Sequence, residues 1–209
     1  MDLLLMQKFF FHTRKNHARG QSFVELALVL GLLLMLLAAV VEFGLLLNQY
    51  ISLVEGSREA ARFGSVGDPF DPTGSGITNV DFYNKISDYI VGTNTTLGVI
   101  EPVHLDPGLN DDVVISVFGA RGNNVVRFPN STGWSKFSTQ TSKFTNAEIS
   151  ARLDSGAPNT GILLVEIFYH YEQILKLPFL TQFVGDPISV YAYSIMPLPL
   201  AEPTSTPSP

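Results

Sequence analysis

Two carboxylates, Glu25 and Glu42, bracket a stretch in which residues 26–41 are only Leu, Ala, Val, Met and one Gly. An acid placed in lipid needs a cation or water. At mid-bilayer it costs about 2.5–3.5 kcal/mol on the insertion scale. Both acids avoid that depth. At about 1.5 Å rise per helical residue they lie roughly 25 Å apart, near the two edges of a hydrocarbon core about 30 Å thick. Glu42 can reach into the headgroups. Glu25, in "ARGQSFVELALVL", follows a basic residue and a glycine, and its place in the run calls for a further reason.

Other chemistry is sparse. The chain has no cysteine, which removes disulfides, thiolate ligands and cysteine nucleophiles. "TGSGIT" lacks the third glycine of a dinucleotide loop and a preceding strand. There is no G-x-S-x-G elbow. The histidines at 12, 17, 104 and 170 lack the H-x-x-x-H spacing of a zinc helix. His170 lies among aromatics on a strand and reads as structural. Asp68, Asp71, Asp111 and Asp112 belong to ordinary turn patterns, with no calcium loop ending in Glu. Asn94-Thr95-Thr96 and Asn130-Ser131-Thr132 match the common glycosylation triplet, which carries little weight. No catalytic, cofactor or metal site is expected. The net charge of −6 argues against nucleic acid as a partner.

The elements that must position the two acids follow from patterning. The mean hydropathy of +0.21 is high for a soluble protein, and the excess is concentrated near the N-terminus. Residues 1–20 form a basic leader in which Lys8, Arg14, Lys15 and Arg19, with His12 and His17, face a single acid, Asp2. Met1 and Met6 both make acceptable starts. Residues 22–47 form a helix of roughly 35–40 Å, enough to cross a bilayer, where helix is the form that satisfies every backbone group internally. A buried core helix rarely runs so long without polar residues. A cleaved secretory signal would be shorter and would end at a small-x-small site. Basic residues before the span keep that end in the cytoplasm, giving a single-pass protein of the cytoplasmic membrane with its C-terminal part outside.

Residues 48–66 extend the helix beyond lipid. Ile51, Val54, Arg58, Ala61 and Arg62 recur at helical steps, and Glu55 can pair with Arg58 or Glu59 with Arg62. Gly64, Gly67 and Asp68-Pro69 end it. "DPFDPTGSG" is a loop. An outer domain over 67–200 is expected to be α+β with an antiparallel sheet of about four strands. It contains a helix in "NVDFYNKISDYIVG" with Phe82, Ile86 and Ile90 on one face, and strands in "DDVVISVFGA", "GNNVVRFP", "GILLVEIFYHYE" and "PISVYAYSIMP". Gly119 to Gly122 mark a turn between the first two strands, and "NAEISARL" is a short helix. "LPLAEPTSTPSP" is Pro/Ser/Thr-rich, and the tail over 201–209 is expected to be disordered.

"RGQSFVELALVL", with basic residues before it and an apolar helix after it, resembles a type IV prepilin signal. That resemblance implies a membrane peptidase cutting after Gly20. Gln21 then becomes the first residue and Glu25 the fifth. A new amine near a neighbour's carboxylate in low dielectric makes a charge-assisted contact that sets register between subunits. Three stretches in order narrow the likeness to the TadE-like family, pseudopilins of the tight-adherence (Flp) pilus system. They are Arg19, Gly20, Val24, Glu25 and Ala27; Val41, Glu42, Phe43 and Gly44; and Arg58, Glu59, Ala60, Ala61, Arg62 and Phe63. Leu26 replaces an aromatic residue, a conservative change. The outer domain carries no resemblance.

The resemblance implies a non-enzymatic, membrane-anchored pseudopilin or minor pilin of a Tad pilus or secretion apparatus. Its partners would be the bilayer, other pilins, Tad assembly proteins and a prepilin peptidase. Gly31 and Gly44 would permit close helix approach. Two alternatives share the anchor: a binding module that never enters a filament, and a membrane-tethered hydrolase with a polar pocket in its outer domain.

Overall fold

The computed structural model describes residues 18–70, 79–92, 103–122, 124–153 and 159–203, with the side chains of 18–20, 179 and 183 excepted. Most of the basic leader, residues 71–76 of the expected loop, the triplet at 94–96 and residues 204–209 of the tail lie outside the described residues. The chain divides into two compact units, 1–44 and 45–209. The described part of the first is helix alone. It belongs to α1 (Ala18–Gly64), which passes from one unit into the other. Gln21–Gly64 is long and apolar enough to cross a membrane.

The second unit is α+β. After α1 come α2 (Val80–Val91), β1 (Asp112–Arg121), β2 (Asn124–Phe128), β3 (Trp134–Ser135), α3 (Asn146–Ser150), β4 (Asn159–Tyr171), α4 (Pro178–Val184) and β5 (Ile188–Pro197). The sheet runs β2-β1-β4-β5, with β3 also on β1, and every pairing is antiparallel. The β1/β2 turn lies later than the sequence pattern suggests. Gly119 and Ala120 stay in the ladder, which continues to Arg121 opposite Asn124. The reversal begins at Gly122, whose φ of 54° needs the freedom of glycine. The α4 helix and the two-residue β3 are additions to the expected elements.

The sheet is covered on both faces. Val113, Ile115 and Val117 of β1, with Leu163, Val165 and Ile167 of β4, face Leu53, Ala60 and Ala61 of α1 and Phe82, Tyr83, Ile86 and Ile90 of α2. The α2 helix is set by local signals: the Asn79 side chain caps the Phe82 amide, and Gly92 closes the other end at φ 71°. On the opposite face Phe118, Ile162 and Leu164 pack with Val125, Phe144 and Ile149. Thr145 and Glu148 form a capping box at the start of α3. Two-sided burial explains why β4 reads as an almost unbroken apolar run. The first residues of the proline-rich stretch also belong to this unit. Leu198 and Ala201 are buried, around a 3-10 turn at Pro199–Ala201.

Buried carboxylates organise the loops. The Asp112 oxygens accept from the amides of Phe137, Thr139 and Gln140 and from the Ser135 and Thr139 hydroxyls, fixing the turn after β3. Glu166, fully buried, accepts from the Lys143 amide at 2.9 Å and the Tyr191 hydroxyl at 2.7 Å. Burial first, and the bond to Glu166 second, push the Tyr191 phenol well above the ordinary value of 10.0. Burial alone raises Tyr83. The folded state therefore keeps both phenols protonated where the unfolded chain would ionise. Their stabilising contribution is intact below about pH 10 and falls as pH rises past it. Chemical denaturation of the detergent-solubilised chain between about pH 8 and pH 11 is expected to show this loss, and Tyr191→Phe should flatten it. Stability that holds constant to the top of that range would contradict the assignment.

Candidate functional site

The motif residues all lie on α1, which separates them by helical phase. Beyond the span, Leu53, Gly56, Ser57, Ala60, Ala61 and Gly64 are buried, at steps of three and four. They form the face that meets the sheet. Small side chains are needed there because the approach is close. A Cβ built on Gly64 would lie 2.5 Å from Ile86 Cδ1 and 2.6 Å from Leu163 Cδ2. Ile51, Glu55, Arg58 and Arg62 are exposed on the other side. The stripe expected from Ile51, Val54, Arg58, Ala61 and Arg62 is therefore mostly the outer face. The inner face, built largely of small residues, does not show as a hydrophobic stripe.

The arginine motif thus splits in two. Ala60 and Ala61 dock on the sheet. Arg62 donates to Glu59 Oε2 at 2.9 Å on the surface. An exposed pair of this kind stabilises a helix by only about 0.3–0.5 kcal/mol. Arg58 and Arg62 consequently present positive charge to solvent without being required by the fold.

In the first unit, the backbone of Gly20 and Gln21 is helical and belongs to the described part of α1. Gln21 Nε2 donates to Glu25 Oε1 at 3.0 Å. A neutral amide satisfies one oxygen but does not neutralise the carboxylate, which stays exposed beside Phe23, Val24, Leu26 and Leu28. Glu42 is only 2% exposed. Val41, Phe43 and Gly44 around it are exposed, and Gly31 and Gly44 have nothing within 4 Å of an added Cβ.

In the outer unit a polar cavity of about 420 Å³ is lined by Gln49, His104, Asp106, Asp111, Tyr169, His170 and Glu172 among others. Asp111 is committed to structure. It accepts the Asp106 amide at 3.0 Å, and the His170 amide and Nδ1 at 2.7 Å and 2.9 Å. His170 is thereby held as a strand-end clamp. Asp68, in turn, caps the Phe70 amide at 2.9 Å. Asp71 lies outside the described residues, as does Asn94, while Asn130 accepts from the Thr132 amide and hydroxyl at 2.9 Å.

Residues 20–62 match the family model described as TadE-like protein. The matched stretch holds Gly20, Gln21, Glu25, Glu42, Gly44, Arg58, Glu59 and Arg62, and it ends within α1 before the sheet begins. No curated protein and no solved structure matches the chain.

The close approach of α1 to the sheet yields a direct test. Gly64→Val is expected to destabilise the outer unit by about 1–3 kcal/mol through overpacking. Gly31→Val, where the added group meets nothing, should leave it unchanged. Denaturant midpoints of the two variants measure the difference, and equal midpoints would refute the packing.

Proposed function

Proceeding from the TadE-like match over residues 20–62, we propose that this chain is a pseudopilin or minor pilin of a Tad-type pilus or secretion apparatus. It would be anchored in the cytoplasmic membrane, N-terminus inside, with the part after about residue 48 outside. Its work is mechanical and associative. The span packs among other pilin helices, and the outer unit docks to assembly partners. The observation that carries this reading is Glu25: a carboxylate exposed at the edge of an apolar helix which, among the described residues, is bonded by the neutral amide of Gln21.

Cleavage after Gly20 by a prepilin peptidase supplies the missing cation. The amine of Gln21 in one subunit meets Glu25 of the next, fixing their axial stagger. A hydrogen bond to a charged group contributes about 1.5–3 kcal/mol, and more of that is realised where water is excluded. The exposed Arg58 and Arg62 offer positive charge to an acidic neighbour.

The anchored binding module keeps the same helix but needs no processing and no neighbour for Glu25. The cavity around His170 does not favour the hydrolase reading, because Asp111 there is taken up by backbone amides and the histidine clamp. Glu25→Ala distinguishes filament entry from simple anchoring. Insertion into the membrane fraction should persist while pilus assembly or secretion falls at least tenfold. Assembly at the wild-type level would overturn the register role.

A further inference from the structure

The connection between β4 and β5 inverts the usual partition of residues. Gln173 is fully buried, whereas Ile174, Leu175 and Val184 are 64%, 42% and 52% exposed. Single exposed apolar residues are ordinary, but a cluster on one short connection marks a contact surface. The exposure is built into the loop. The Gln173 amide donates to Asp186 Oδ1 at 3.0 Å and its Nε2 donates to the Gly185 carbonyl at 2.6 Å, stapling the two ends of the connection together. Between them, α4 closes through the Thr181 amide on Leu177 and the Gly185 amide on Thr181. Ile174, Leu175 and Val184 stay exposed around this staple.

Its place in the unit identifies the medium it faces. Ile174 and Glu172 line the same cavity as Gln49 of α1. Gln49 stands just beyond Leu47, the end of the apolar run, only about 3 Å further along the helix axis. The connection therefore lies at the end of the outer unit where α1 enters it. Tyr50 and Ile51, at the same level, are also exposed, and tyrosine is enriched at the membrane–water interface. The connection, residues 172–187, carries one lysine and two acids at its ends, Glu172 and Asp186, the latter accepting from the Gln173 amide.

We infer that the β4–β5 connection, with α4 at its centre, seats on the surface of the bilayer that α1 crosses, its apolar side chains in the headgroup–acyl boundary. The inference rests on the membrane-anchor reading. Lipid is favoured over a protein partner by continuity: the turn of α1 that leaves the hydrocarbon lines one cavity with the loop, so the membrane surface is always beside it. Tethering makes this contact intramolecular, and it needs little intrinsic affinity to be populated. The outer unit is then held to the membrane at two points, the helix and the loop.

The absence of cysteine makes the test direct. Single variants Val184→Cys, Leu34→Cys and Val66→Cys of the full chain are spin-labelled and reconstituted in phosphatidylcholine/phosphatidylglycerol vesicles. Collision with oxygen, which partitions into lipid, is compared with collision with a water-soluble nickel chelate. The label at 184 should favour oxygen several-fold over the label at 66, and the label at 34 more strongly still. A lipid-like 34 with a water-like 184 overturns the loop contact and leaves the anchor standing. A label at 184 shielded from both reagents places protein there, a second copy or another partner, and also overturns it. A water-like 34 removes the anchor reading itself.

Discussion

One helix must be compatible with two surroundings, and the rest of the structure follows from that constraint. Over its first half α1 is apolar on all sides, as a rod in hydrocarbon must be. Over its second half it lies against a sheet, and closeness replaces greasiness as the requirement. Leu, Val and Phe give way to Gly56, Ser57, Ala60, Ala61 and Gly64 on the inner face, while Arg58 and Arg62 turn outward. The β4 strand, central in the sheet and covered on both faces, is apolar nearly throughout for the same reason.

The acids of the outer unit are architectural. Asp111, Asp112 and Glu166 are buried, and Asp111, Asp112 and Oε1 of Glu166 accept from amides and side-chain donors of the surrounding loops and strands. Removing any one would leave donors unsatisfied, at about 1–3 kcal/mol for each. Such carboxylates resemble a catalytic or calcium-binding cluster when read as sequence, and the difference lies in which groups already fill their lone pairs. Glu25 is the contrasting case, exposed at the edge of an apolar surface and, among the described residues, bonded by the neutral amide of Gln21.

Much of the fold was legible because it is written in local signals. The span is a matter of length and composition. The α2 helix announces itself through Asn79, Gly92 and the spacing of Phe82, Ile86 and Ile90, and the strands of the sheet through alternation and β-branched runs. What was illegible depends on distant partners. The β1/β2 turn was read two or three residues early because Gly119 looks like a turn residue, yet it sits in the ladder beneath Ala201, whose carbonyl lies 3.0 Å from where a Cβ would be. The inner face of α1 carries too little hydrophobicity to show a moment, since its contribution is shape. The α4 helix, only seven residues long, is too short to give a periodic signal. Of the candidate site, the motif residues and their order were readable. Their division between an inward alanine face and an outward arginine face required the sheet.

The central claim is that Glu25 is tolerated at the edge of lipid because a processed neighbour brings an amine to it. Mass spectrometry of the N-terminus of the mature chain, isolated from membranes that contain its assembly machinery, tests this most directly. The account predicts a chain beginning at Gln21. A chain that retains its leader through Gly20 would contradict it.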